Sequence, residues 1–92
     1  MTIDNILEML KVDLGISTDA YDERFESIIG YAVSEIEREG ITLEDTVENQ
    51  NLVAMYAAWL WRKRESGEGM PRMIRYALNN LLFSQKMVVD NG

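Results

Sequence analysis

Asp19, Asp22, Glu23 and Glu26, followed by Glu35, Glu37 and Glu39, have the side chains for acid–base chemistry or for holding a divalent cation. Asp22 and Glu26 stand four residues apart, so on a helix they share a face. A catalytic pair or metal centre built on helices needs more: a histidine, a calcium-loop glycine pattern, or a second carboxylate motif on another helix. None accompanies them. The chain contains no histidine and no cysteine, which removes the usual zinc sites, Ser-His-Asp triads, Cys-His dyads, thiol nucleophiles and disulfides together. The carboxylates read as helix starts and a solvated face. Gly67-Glu68-Gly69 lacks the lysine and preceding strand of a phosphate loop and reads as a turn. The expectation is a non-enzymatic protein with no catalytic residue, no cofactor and no metal.

The cations are a second candidate chemistry. Arg62, Lys63, Arg64, Arg72, Arg75 and Lys86 are six of the nine basic residues and fall within one stretch of 25. Two readings fit them. They can face nucleic acid through phosphate contacts that carry no sequence information, or they can pair with acidic helices of the same or a neighbouring chain. A sequence pI near 4.4 argues against a free-standing DNA-binding domain, which needs a positive field. A helix-turn-helix is also disfavoured, because the linker between the third and fourth helices is longer than usual and Ile74, Leu78 and Leu81 suit a core more than base readout. Trp59 and Trp61 lie beside the cations. Two positions apart on a helix, they diverge by about 200°, so one enters the core and the other needs a second cover. That cover is either the fourth helix or another subunit.

Four helices position these groups, and no stretch alternates with period two for long enough to be a strand. The fold class is all-α: a compact bundle of about four helices around a long central third helix. Ile3, Ile6, Leu7, Leu10 and Leu14 form one face of the first, with Thr2 or Asp4 as its cap and Gly15 as its left-handed stop. Ser17-Thr18-Asp19 opens the second, whose stripe is Phe25, Ile28, Ile29, Ala32, Val33 and Ile36, and Gly40 closes it. The third runs from about Thr46–Glu48 to Glu65, roughly 27–30 Å. Its Leu52–Trp61 segment is apolar on nearly every side and must be covered on nearly every side. Pro71 fits the first turn of the fourth, with Ile74, Ala77, Leu78, Leu81 and Leu82 behind it. Residues 1–83 thus make one domain and 84–92 a C-terminal tail, in which Met87-Val88-Val89 can fray, pack on a neighbour or pair as a short strand.

The scaling for 92 residues gives a radius of gyration of roughly 12 Å. The N-terminus lacks the basic region and apolar core of a signal peptide, and no segment approaches about 20 uninterrupted apolar residues, so a cytosolic, non-membrane protein is expected. Net charge is −7, but residues 1–48 carry 13 acidic and 3 basic side chains while residues 49–92 carry 3 and 6, giving −10 against +3. That polarity suits head-to-tail association, and it is equally what solvated faces produce.

The string Asp19-Ala20-Tyr21-Asp22-Glu23-Arg24-Phe25, with Ile28-Ile29 and Ala32-Val33-Ser34-Glu35-Ile36 after it, resembles the second helix of small phage head-tail connector proteins. Ala57-Ala58-Trp59 through Arg64-Glu65-Ser66-Gly67-Glu68-Gly69-Met70-Pro71 is similar to that family's Ala-rich helix, its Arg-Glu-Ser/Ala-Gly turn and the Met/Leu-Pro that opens a short amphipathic helix. The opening helix with its Leu14-Gly15-Ile16 turn agrees, so the resemblance runs from about Ile3 to Leu82. It implies a structural virion protein of the phage or prophage neck, assembled in the host cytoplasm. Such a head-completion adaptor forms a ring under the portal protein, extends the channel for packaged DNA without sequence specificity, and docks a tail-side connector or stopper. In isolation it can remain monomeric. The connector Gly40–Asn51 is shorter than in some members, which removes an expected lumen contact. On this reading Arg62, Lys63, Arg64, Arg72, Arg75, Trp59 and Trp61 are the candidate interface or DNA-channel residues. The alternative is a small dimeric helical regulatory or adaptor domain acting on nucleic acid.

Overall fold

The computed structural model describes residues 2–90, with side chains as far as residue 87. Four helices follow one another: α1 (Ile3–Leu14), α2 (Asp22–Arg38), α3 (Val47–Ser66) and α4 (Arg72–Asp90). There is no strand among the described residues, and the all-α bundle expected from periodicity is the fold.

α3 is the axis. Leu52, Val53, Ala54, Tyr56, Ala57, Ala58 and Trp59 are all buried, and the two fully covered alanines let neighbouring helices approach closely. The Thr46 side chain accepts the Asn49 N–H and caps the start; Gly67, at φ 68°, ends the helix in the left-handed conformation. Thr2 meets Asp45 at one end and Asp13 meets Arg62 at the other, so α1 runs parallel to α3. Phe25 near the start of α2 stacks on Trp61 near the end of α3, so α2 runs the other way. The core between them holds Ile6, Leu10, Phe25, Ile29, Ala32 and Ile36, all without solvent exposure.

Two expected caps are absent, and for Thr2 and Asp19 a partner outside the helix start takes the side chain. Thr2 occupies the N-cap position of α1 without a capping bond. Instead its hydroxyl donates to Asp45 Oδ2 at 2.6 Å and its N–H to Oδ1 at 3.1 Å, fastening α1 to the approach to α3. Ser17-Thr18-Asp19 does not open α2, which starts three residues later at Asp22 with no side-chain cap. Thr18 Oγ1 accepts the Ala20 N–H, and the Asp19 and Asp22 carboxylates turn to Lys11 of α1, 3.1 and 2.9 Å from its Nζ. Lys11 is only 7% exposed, and these two hydrogen-bonding carboxylates raise its pKa. Asp19 and Asp22 therefore clamp α1 to the start of α2, and Glu23 and Glu26 take no part in the clamp. Gly15, at φ 69°, stops α1 as expected.

α4 differs more from expectation. Pro71 stands one residue ahead of the helix, its carbonyl accepting from Ile74 and Arg75. Ile74 and Leu78 are buried, with Ala77, Leu81 and Leu82 partly buried against the core. The helix then continues through Asp90, so Ser84 onward is not a separate tail, and Met87-Val88-Val89 is helical and not a strand. Residues 91–92 of the expected tail lie outside the described residues. The Gln85 amide explains part of the continuation: it accepts the Thr42 N–H and donates to the Thr42 carbonyl, pinning α4 to the loop after α2. With this long arm the radius of gyration is 13.7 Å and the extents 47 × 27 × 18 Å, larger than a compact bundle of this length requires. No helix among the described residues is long and apolar enough to cross a membrane.

Candidate interaction surface

The sequence places seven candidates at the C-terminal end of α3 and the start of α4, and the fold divides them: Trp61 and Arg64 meet the start of α2, whereas Arg75 meets its end. Trp59 is buried. Its Nε1–H donates to the Glu68 carbonyl at 3.2 Å, its ring meets Tyr56 edge-on at 5.4 Å, and Lys63 Nζ lies 4.5 Å from its centroid. Trp61, on the other side of the helix, packs on Phe25 at 4.8 Å and Tyr21 at 5.8 Å, while the Arg64 guanidinium lies 3.8 Å above its ring. The divergence of the two indoles is as expected, and within the chain the partial cover of Trp61 does not come from α4. It comes from α2, completed by an arginine three residues along the same helix.

The remaining cations are largely engaged within the chain. Arg62 stands between Asp13, at 3.6 Å, and Glu68, at 3.5 Å. Arg64 also reaches Glu65 at 3.9 Å. Arg75 holds Glu39 at the end of α2 in a two-pronged pair of 2.8 and 3.1 Å, and that pair raises its pKa. Among the seven, Arg72 makes neither an ion pair nor a ring contact among the described residues. These contacts tie α3 to α1 and α2 and fasten α4 to the end of α2, while the Arg62, Arg64 and Arg75 side chains stay 40–46% exposed.

The open surface lies elsewhere. Met73, Tyr76, Phe83 and Met87 of α4 are 59–68% exposed. With Asn80 they recur at alternating spacings of three and four along the helix, the register of a helix–helix seam. Val12, Tyr21, Tyr31 and Val47 are also exposed. The α4 stripe was detectable in the sequence by its spacing, and it runs out of phase with the Ile74–Leu78 face. Against α2, an open groove of about 910 Å³ is lined by Glu23, Arg24, Glu26, Ile28, Tyr31 and Leu60 among others. The described residues contain no group of three or more His, Cys, Asp or Glu side chains that could hold a metal ion.

No protein-family model, curated protein or solved structure matches the chain.

Proposed function

We propose that this protein is a head-to-tail connector: a structural adaptor that forms a ring at the portal vertex of a phage or prophage particle, continues the DNA channel and offers a seat to a tail-side protein. The segment from Ala57 to Pro71 carries the reading. Its Ala-rich central helix, arginine-rich end, Gly67 turn and Met70-Pro71 opening of α4 make up the most specific part of the connector resemblance. A two-ended charge, −10 over residues 1–48 and +3 over residues 49–92, supports assembly through unlike faces. On this reading the protein performs no chemistry, its partners are its own copies, the portal and the next neck protein, and DNA passes without being read.

The test is removal of the gene from the particle-producing genome, followed by electron microscopy. DNA-packaging heads without attached tails are expected; normal tailed particles overturn the reading. The exposed α4 stripe favours one further reading, a small dimeric adaptor acting on nucleic acid. A mobility-shift assay at low salt with short duplex DNA separates the two, since tight binding by the free protein belongs to the adaptor and a chain of net charge −7 with Arg62, Arg64 and Arg75 internally paired is expected to bind weakly.

A further inference from the structure

Charged residues without an ion pair flank both the α4 stripe and the groove between α2 and α3. Lys11, Arg38, Arg62, Arg64 and Arg75 have carboxylate partners, whereas Arg72 and Lys86 of α4 and Glu23, Arg24 and Glu26 of α2 have no ion pair among the described residues. At about 100° per residue, the Met73–Met87 stripe lies about 150° around α4 from its buried face, and Arg72 and Lys86 follow one edge of it. Glu23, Arg24 and Glu26 line the α2–α3 groove with Ile28, Tyr31 and Leu60, two carboxylates against one guanidinium. By sequence α2 carries five carboxylates against two guanidinium groups, and α4 three cations against one carboxylate.

We infer that the outer stripe of α4 from one copy seats in the α2–α3 groove of the next copy. The stripe faces away from its own bundle, so it meets such a groove only in another molecule. Apolar side chains then meet apolar lining, and the cationic edge meets the acidic one. Antiparallel pairing of α4 against α4 about a two-fold axis would satisfy Asn80 but would bring the two Arg72 and Lys86 edges together. A stripe-to-groove contact is heterologous, so it propagates into a ring or a filament. The inference rests on the ring reading above and names the surfaces that build the ring.

Two substitutions at exposed positions test it, Phe83→Asp in the stripe and Tyr31→Asp in the groove, with molar mass followed by analytical ultracentrifugation and folding by circular dichroism. Wild-type protein is expected to grow in mass with concentration. Each variant alone is expected to associate at least about 10-fold more weakly, as for loss of a central aromatic anchor. Mixed, the two are expected to form a one-to-one heterodimer, because one retains an intact groove and the other an intact stripe. Wild-type protein that stays monomeric to millimolar concentration overturns the contact, as does a mixture that gives no heterodimer. A wild-type dimer that grows no further and is insensitive to Tyr31→Asp overturns it in favour of α4–α4 pairing. If heterodimers form while deletion of the gene leaves normal particles, the contact stands and the connector reading falls; if tails are lost but the mixture fails, the ring is built on other faces.

Discussion

The arginine-rich end of α3 and the outer face of α4 are near neighbours with opposite fates. The α3 end has the conspicuous composition: two tryptophans and three consecutive basic residues. Yet Trp59 is buried and Trp61 partly buried by the chain's own residues, and Arg62, Lys63 and Arg64 have internal carboxylate or ring partners. The α4 face has modest composition, two methionines, a tyrosine, an asparagine and a phenylalanine, and little of the molecule covers it. Aromatic and basic residues mark a binding surface only where the fold leaves them without partners. Intramolecular satisfaction decides which of two plausible patches remains available.

That contrast breaks most visibly at Phe25, the fully buried ring on which Trp61 rests. Phe25→Ala is expected to cost about 3–5 kcal/mol in urea unfolding; a loss under about 1 kcal/mol would mean that Trp61 is not held from inside. Trp59→Phe keeps an aromatic ring but removes the N–H donated to Glu68. A loss between about 1 and 2 kcal/mol is expected in the same measurement, and no loss would return Trp59 to the list of free anchors. Arg75→Ala removes the two-pronged hold on Glu39. Since both side chains are partly exposed, at 40% and 30%, the expected cost is about 0.5–1 kcal/mol, falling as salt is added.

An acid titration gives a control outside both regions. Thr2 and Gln50 donate to Asp45 and hold its carboxyl down from the ordinary 3.8 to about 2. A depressed folded-state pKa supplies stability above the unfolded value, and that stability is lost as the pH falls from 3.8 towards about 2. NMR of the Asp45 carboxyl carbon is expected to show the low midpoint, and Asp45→Asn to remove this share of the acid response; a midpoint near 3.8 would mean that Thr2 does not hold the α1–α3 seam. The smallest effect is expected on α4. Tyr76→Lys, 59% exposed before substitution, should change stability by no more than about 0.5 kcal/mol, and a larger loss would show that the outer face is structural after all.

Local signals were legible where the deciding partner is local. Thr46 caps α3 through a residue three positions on, Gly15 and Gly67 need only their own backbone freedom, and the apolar girdle of α3 implies burial on every side. Legibility fails where a side chain has several equal uses. Ser17, Thr18 and Asp19 all suit an N-cap, but Asp19 and Asp22 are taken by Lys11 from another helix. The same holds for Arg75, whose carboxylate is 36 positions away, and for Trp61, whose cover comes from α2. The end of α4 was obscured differently: Gln85, which fastens it, finds its partner 43 positions back.

The two indoles on opposite sides of α3 have one more consequence. Trp59 is tied to the turn that leads into α4, and Trp61 to the first rings of α2. Fluorescence from the two is therefore an ordered record of which seam loosens first: a change confined to Trp59 signals release of α4, and one confined to Trp61 signals departure of α2. Single-tryptophan versions of the chain turn an unfolding trace into a sequence of named events.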